Sequence, residues 1–156
     1  MKKLFLLDAY ALIYRAYFAL NKNPRVNSKG LNTSAIMGFL NTLYEVLKNE
    51  NPTHIGVAFD LGEPIRRAEN FAEYKANREE TPPDIKISVP YIKEIIKAFN
   101  IPIFEKAGYE ADDIIGTLSK KAEKEGFTTF MMTPDKDFGQ LVSENIFIYK
   151  PAKGGE

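Results

Sequence analysis

The chain has 156 residues, 44% hydrophobic and 12% aromatic, which is the size and composition of one globular domain. It contains no cysteine, which excludes disulfides, thiolate zinc sites and cysteine nucleophiles. With 21 basic and 21 acidic residues the formal net charge is zero, so charge alone argues neither for nor against nucleic acid. The first apolar run stops at Asp8, too short for a signal peptide, and no later stretch could span a bilayer. These observations predict a cytoplasmic protein that does not bind a membrane.

Short apolar runs alternate with longer segments of helical periodicity along the chain. In chain order the patterns predict a strand at 4–7, helices at 9–20 and 35–49, a strand at 54–59, a helix at 87–99, a strand at 102–104, a helix at 112–125, and strands at 127–132 and 146–149. Thr33-Ser34 is expected to cap the second helix. Strands that alternate with helices predict a three-layer α/β fold, in which helices cover both faces of a mostly parallel central sheet.

Three of the predicted strands lead into an aspartate. Asp8 ends the first strand, Asp60 ends the second, and Asp135 follows the strand at 127–132 after Thr133-Pro134. In open parallel sheets, ligands bind beyond the carboxyl ends of the strands. We therefore expect Asp8, Asp60 and Asp135 to share one edge of the sheet.

A second acidic group opens the helix predicted at 112–125. Glu110 and Asp113 are three residues apart and would share a helical face, whereas Asp112 would point elsewhere unless the first turn is loose. Asp137 adds a further carboxylate close to the end of a predicted strand. Crowded carboxylates must take up protons or hold a cation. All-oxygen ligand sets suit hard ions such as Mg²⁺, Mn²⁺ or Ca²⁺.

Each acidic residue also has a purely structural explanation. Asp8 could cap the helix that begins at Ala9, and acidic residues suit any helix start. Asp135-Lys136-Asp137 could form an ordinary turn. The metal hypothesis is stronger for the whole set, because the structural explanation requires several independent caps to fall on one edge of one sheet.

The middle of the chain supplies positive charge. Lys75 and Arg78 are three residues apart and would face the same way on a helix, and Arg67 lies nearby. We expect such residues to hold a phosphodiester over the metals and to stabilise charge that develops in the transition state. Tyr14 and Arg15 in the first helix could stack on an unpaired base or contact phosphate.

In order and spacing, these residues resemble the N-terminal 5′-nuclease domains of bacterial DNA polymerase I, within the flap endonuclease group. The resemblance covers essentially all 156 residues. Its markers are Leu6-Leu7-Asp8 with Tyr14-Arg15, Ala58-Phe59-Asp60, Arg67 with Tyr74-Lys75-Ala76-Asn77-Arg78, Gly108-Tyr109-Glu110-Ala111-Asp112-Asp113, and Thr133-Pro134-Asp135-Lys136-Asp137.

The resemblance implies a PIN-like fold and a two-metal nuclease that acts on DNA near a 5′ end or flap, in primer removal and repair. Two Mg²⁺ or Mn²⁺ ions would occupy the complete site. By analogy the acidic pocket would consist of Asp8, Asp60, Glu110, Asp112, Asp113, Asp135 and Asp137. Lys75 and Arg78 would contact the scissile phosphate, and DNA would also meet Tyr14, Arg15 and Arg67.

Family members also carry a Gly-Asp-X-Ser-Asp-Asn segment and a helix–turn–helix element that grips duplex DNA, and these 156 residues contain neither. We therefore expect residues 1–156 to be the amino-terminal part of the nuclease domain, with the rest of the nuclease and the polymerase domains in the same polypeptide. The last two metal-binding aspartates of the family would then be missing. The chain should bind one divalent ion better than two, and its cleavage should be weak or absent.

Two other function classes are open at this point. A metal-dependent phosphohydrolase also has aspartates at strand ends, but Ala9-Tyr10-Ala11 lacks the second aspartate that an aspartate-nucleophile motif needs. A non-catalytic nucleic-acid-binding module would have no use for the full acidic set. Asp113→Asn separates these classes from a nuclease, because it should abolish metal-dependent cleavage by the full-length protein without disturbing the fold.

Overall fold

The computed structural model describes residues 2–20, 22–60, 81–133 and 136–150, with the side chains of residues 136 and 137 left out. Within these residues five strands form one sheet in which every pairing is parallel. The strands are β1 (Lys3–Asp8), β2 (His54–Ala58), β3 (Ile103–Phe104), β4 (Thr128–Met132) and β5 (Ile146–Tyr149). Their order across the sheet is β3-β2-β1-β4-β5, so β1 lies at the centre.

Four α-helices connect the strands in the described residues: α1 (Ala9–Ala19), α2 (Ser34–Glu45), α3 (Pro83–Ala98) and α4 (Ala111–Lys124). A π-helical turn (Val46–Glu50) continues α2, and a 3₁₀ helix (Lys136–Leu141) precedes β5. None of these helices combines the length and the apolar character needed to cross a membrane.

The central strand is buried on both faces, which explains why its sequence is an uninterrupted apolar run. Phe5 and Leu7 belong to a core that also includes buried residues of α1, α2 and α3. Leu6, pointing to the opposite face, packs in a second core with Ala111 and Ile115 of α4. Helices therefore cover both faces of the sheet, which confirms the predicted three-layer α/β architecture.

The start of α2 differs from the sequence expectation. Thr33 occupies the N-cap position, but neither Thr33 nor Ser34 caps the helix through its side chain. The Thr33 hydroxyl donates to the Arg25 carbonyl at 3.2 Å, and the Ser34 hydroxyl accepts from the Arg25 backbone N–H at 2.8 Å. The Ser34 N–H donates to Asn32 Oδ1 at 3.0 Å. The two hydroxyl residues hold the preceding loop against the helix instead of capping it.

Two helix boundaries also differ from those that the sequence predicts. The helix expected at 35–49 is α-helical only to Glu45 and then widens into the π-helical turn, which ends at Asn51 in a left-handed conformation with φ of 46°. The helix expected from residue 87 begins at Pro83, because a proline in the first turn needs no backbone donor and Asp84 complements the helix dipole.

Gly38 of α2 lies at the contact between α1 and α2. A Cβ atom at this position would lie 2.4 Å from the Cβ and 3.2 Å from the Cα of Ala16. Since the Cα belongs to the backbone of α1, Gly38→Ala must push the two helices apart. We expect it to lower the free energy of unfolding by about 2 kcal/mol, despite the better helix propensity of alanine. Urea denaturation measures this loss.

Gly116→Ala in α4 is the matched control. The nearest atom to a Cβ there would be the side-chain Cδ1 of Leu141, at 3.2 Å, which can yield by rotation. We expect this variant to be neutral or more stable by up to about 1 kcal/mol. Equal destabilisation by both substitutions would show that the approach of α1 and α2 is not the cause.

Candidate metal centre

The carboxyl ends of the three central strands meet at one edge of the sheet. Asp8, the last residue of β1, is in register with Ala58 on β2, and Leu7 is in register with Met132 on β4. Asp60 follows β2 by two residues, at this same edge. Asp8 and Asp60 therefore lie where the sequence predicted. Asp135, the third predicted residue, lies outside the described residues.

A short hydrogen bond joins the second strand to the acidic helix start. The backbone N–H of Ala111, the first residue of α4, donates to Asp60 Oδ1 at 2.6 Å. The first N–H groups of a helix have no partner within the helix, and an anionic acceptor there is favoured by the helix dipole. Asp60 thus fixes the N-terminus of α4 against the end of β2.

Glu110, Asp112 and Asp113 converge at this helix start. Each offers an oxygen atom, and these three atoms lie within 4.8 Å of one another. Glu110 is the N-cap and has extended backbone angles, φ −86° and ψ 163°, and its N–H donates to Asp113 Oδ2 at 3.0 Å in a capping box. The sequence suggested that convergence requires a loose first turn. Instead, α4 is helical from Ala111, and the extended Glu110 brings the three groups together.

Asp8 interacts electrostatically with Asp60 and with Asp112 at the start of α4. Asp8 is buried, with 9% exposed, and its pKa is raised to about 6, mainly by this burial. The negative charges of Asp60 and Asp112 also contribute to this rise of the pKa. The hydrogen bond from Thr133 Oγ1 to Asp8 Oδ2, 3.1 Å long, lowers it in part. The Ala11 amide acts in the same direction, although it does not form a full capping bond.

This arrangement fits a hard divalent cation. Carboxylate oxygens are the donors that Mg²⁺, Mn²⁺ and Ca²⁺ prefer. The pKa of Asp8 is raised mainly by burial and also by the charges of Asp60 and Asp112, and a cation would offset both effects. In the described residues Glu110, Asp112 and Asp113 offer oxygen atoms close enough to share such an ion, with Asp8 and Asp60 at the same edge of the sheet.

Thr133 is a site residue that the sequence reasoning missed. It is fully buried directly after β4, and its hydroxyl bond to Asp8 spans 125 residues of sequence. Its place between an apolar strand and an acidic segment was the available signal. No local pattern indicated which carboxylate it would contact.

Thr133→Val should raise the pKa of Asp8 further above about 6, because it removes a donor that favours the ionised form. A hydrogen bond to a charged group contributes about 1.5–3 kcal/mol, so the pH midpoint of Mn²⁺ binding should rise by about one to two units. Calorimetric titrations between about pH 5 and pH 8 measure this midpoint. Thr129→Val is the control, since Thr129 Oγ1 is buried without a hydrogen-bond partner in the described structure. Equal shifts in both variants would rule out the hydroxyl as the cause.

The remaining predicted site residues are only partly described. The Tyr14 hydroxyl donates to Thr81 Oγ1 at 3.0 Å, and its ring stacks on Phe18. Arg15 is half-buried in α1. Asp137 lies in the 3₁₀ helix, but its side chain is not described, and Arg67, Lys75 and Arg78 lie outside the described residues. Their roles in binding and catalysis stay predictions.

Comparison with known proteins identifies the family. The profile described as 5′-3′ exonuclease, N-terminal resolvase-like domain, matches residues 3–156. A 5′-3′ exonuclease of Aquifex aeolicus is 43% identical over 151 residues, which cover 97% of this chain and 52% of that protein. DNA polymerase I of Bacillus subtilis is 45% identical over 154 residues, which cover 98% of this chain and 17% of that protein. The chain thus spans about half of the first relative and less than a fifth of the second.

Solved structures share the fold. A bacteriophage T5 5′-exonuclease with bound divalent zinc ions superposes with a TM-score of 0.67 at 19% identity, over 96% of this chain and 55% of that one. A flap endonuclease of the same phage, in a pseudo-enzyme–product complex with DNA and metal ions, superposes with a TM-score of 0.65 at the same identity and coverage. With the profile match over residues 3–156, the chain belongs to the family of 5′-3′ exonuclease N-terminal, resolvase-like domains.

Proposed function

We propose that this chain forms the metal-binding part of a divalent-metal-dependent 5′-3′ exonuclease or flap endonuclease that hydrolyses DNA phosphodiesters. The observation that carries the proposal is the convergence of Glu110, Asp112 and Asp113, near the buried Asp8 at the end of the central strand. Family membership supports the reaction class, and the DNA and metal ions in a structural neighbour support the ligands.

In this proposal the described residues act as a prepositioned ligand set. Asp60 and the capping box hold the start of α4 in place, so the three clustered carboxylates keep their spacing without a ligand. Asp8 is held by Thr133, and its carboxylate is ionised above about pH 7, as a ligand of a cation must be. When bound, a pair of divalent ions in such a site stabilises the attacking and leaving oxygens of an in-line displacement at phosphorus.

The ions are proposed to be Mg²⁺ or Mn²⁺, with two in a complete site and one held by this chain. Carboxylate oxygens favour both ions. Asp135 and Asp137 are proposed to complete the acidic set. Because the relatives extend well beyond the matched region, further ligands from a longer polypeptide are part of the proposal.

The substrate is proposed to be DNA with a 5′ end or flap, met during primer removal and repair in the bacterial cytoplasm at the nucleoid. Lys75 and Arg78 would contact the scissile phosphate, and Tyr14, Arg15 and Arg67 would contact the strand. Basic side chains suit this role because they offset the negative charge of phosphate and of the transition state. The rest of the nuclease and a polymerase, as in DNA polymerase I, would share the polypeptide.

A Mn²⁺ titration by calorimetry, with a 5′-flap cleavage assay on the same preparation, tests this function. We expect about one bound ion and weak or absent cleavage, with 5′-phosphorylated product where cleavage occurs. Robust cleavage would support the nuclease and contradict the proposal that further ligands are needed. Absence of ion binding at pH 8, where Asp8 is ionised, would overturn the proposed metal centre.

A further inference from the structure

One face of α4 forms a wall of an open groove of about 660 Å³, which leads away from the metal centre. Asp112 and Asp113 line the groove at the start of the helix, and Lys120, Lys121 and Lys124 line it towards the end. Leu141 of the 3₁₀ helix is also part of its lining. The groove therefore joins the acidic site to a cluster of three lysines.

These lysines are available for a ligand. All three are exposed, and within the described residues none has a carboxylate oxygen within 4 Å. By contrast, Lys3 and Lys93 form ion pairs with Glu50 and Glu105 at 3.2 Å and 2.8 Å. Lysines near the C-terminal end of a helix also interact favourably with the helix dipole, but this interaction does not require all of them to line one groove.

The spacing along the helix gives the lysines a position relative to the metal centre. Lys120 and Lys124 follow Asp112 by eight and twelve residues. At a rise of about 1.5 Å per residue they lie about 12 Å and 18 Å further along the axis. Phosphates of one strand of B-form DNA advance about 3.4 Å per nucleotide along the duplex axis. With the axis of α4 along the duplex axis, these distances correspond to about three to five nucleotides from a phosphate at the carboxylates.

We propose that the groove along α4 binds the sugar–phosphate backbone of duplex DNA about three to five nucleotides from the phosphate at the metal centre. The inference rests on the proposed nuclease function and adds a second, metal-independent contact to it. Lysines contact phosphates as point charges, so this contact adds affinity and register without sequence preference.

The first test is the salt dependence of binding to a duplex with a 5′ flap, measured by fluorescence anisotropy in Ca²⁺. A variant with Lys120→Gln, Lys121→Gln and Lys124→Gln should reduce the slope of log K against log salt by between about two and three, since each phosphate contact contributes about 0.9. Lys97→Gln is the matched control, because Lys97 is an exposed lysine in the last turn of α3. The salt slope of Lys97→Gln should change by much less than that of the triple variant.

The second test locates the contact on the DNA. Neutral methylphosphonates three to five nucleotides from the cleavage position should weaken wild-type binding and have little further effect on the triple variant. Methylphosphonates at eight to ten nucleotides should weaken binding by both proteins equally. The groove proposal would be overturned if methylphosphonates at three to five nucleotides weakened binding by the triple variant as much as by the wild-type protein, or if the salt slope of the triple variant were unchanged. Either result would leave the proposed function in place, provided that the wild-type protein binds Mn²⁺. A wild-type chain that binds neither Mn²⁺ nor this DNA would overturn the proposed function itself.

Discussion

Asp8→Asn is expected to raise the free energy of unfolding of the metal-free protein by about 3 kcal/mol at pH 7.5. The pKa of Asp8 is raised to about 6 in the fold, from 3.8, because the carboxyl group is buried and faces Asp60 and Asp112. Each pKa unit corresponds to about 1.4 kcal/mol between the two protonation states. The ionised group therefore opposes folding at neutral pH, and a neutral amide removes that opposition. Asn Oδ1 can still accept the hydrogen bond from Thr133.

The pH dependence identifies the cause. Because the folded-state pKa exceeds the unfolded one, the stability of the wild-type protein should fall as the pH rises from about 4 to about 6 and then level off. The advantage of Asp8→Asn should be absent below about pH 4 and complete above about pH 7. Urea denaturation in EDTA at pH 4 and pH 7.5 makes the comparison. A gain of equal size at both pH values would point to packing rather than charge.

Saturating Mn²⁺ should make the wild-type protein more stable than Asp8→Asn. An ion at 1,000 times its dissociation constant stabilises the folded state by about 4.1 kcal/mol, which exceeds the advantage of Asp8→Asn, and only the wild-type protein keeps the full ligand set. Asp8 thus destabilises the metal-free fold and is expected to stabilise the metal-bound state. If Mn²⁺ stabilised Asp8→Asn as much as the wild-type protein, Asp8 would not be a ligand of the ion.

Asp113 is expected to have two separable roles, which a pair of variants distinguishes. Asp113→Asn keeps an oxygen that can accept from the Glu110 N–H but removes the charge that would bind an ion. We expect a loss of Mn²⁺ affinity of at least about 100-fold, with the metal-free stability unchanged or slightly raised. Asp113→Ala should lose affinity as well and should also lower the free energy of unfolding by about 1 kcal/mol, because the cap is broken. Calorimetry and urea denaturation measure the two effects.

Glu105→Gln provides the matched control for charge. Glu105 is an exposed carboxylate paired with Lys93 on the surface, so its removal should change Mn²⁺ affinity by less than about twofold. Equal losses of affinity in Glu105→Gln and Asp113→Asn would mean that general charge, and not coordination, governs ion binding. Unchanged affinity in Asp113→Asn would assign Asp113 to the helix cap alone.

The sequence predicted the sheet and its acidic edge because both follow from short-range patterns. The apolar run of β1 reflects burial on both faces, and Asp8 and Asp60 follow their strands directly. What the sequence did not predict depends on backbone detail or on distant partners. The extended Glu110 sets the convergence of three carboxylates through two dihedral angles. The Thr133 contact depends on the pairing of β1 with β4, which no local pattern contains.

The loop between Asn23 and Asn32 illustrates the same limit. Thr33 and Ser34 have the composition of a helix cap, yet both hydroxyls bond to Arg25, eight or nine residues earlier. Asn32 instead accepts from the Ser34 N–H. Several short polar side chains compete for the same few backbone groups there, and differences of a fraction of a kcal/mol decide between them.

The pairing of β1 with β4 also bears on how the protein is made. Lys3 lies opposite Thr128 and Leu7 opposite Met132, so β1 pairs with residues that are synthesised about 125 positions later. Pairings of such long sequence separation form slowly, and chains grow at about 5–20 residues per second. For several seconds β1 is an apolar segment that lacks its partner β4, and Asp8 has no hydroxyl donor from Thr133. The acidic site of a nascent chain is therefore complete only after β4 has been synthesised and has paired with β1.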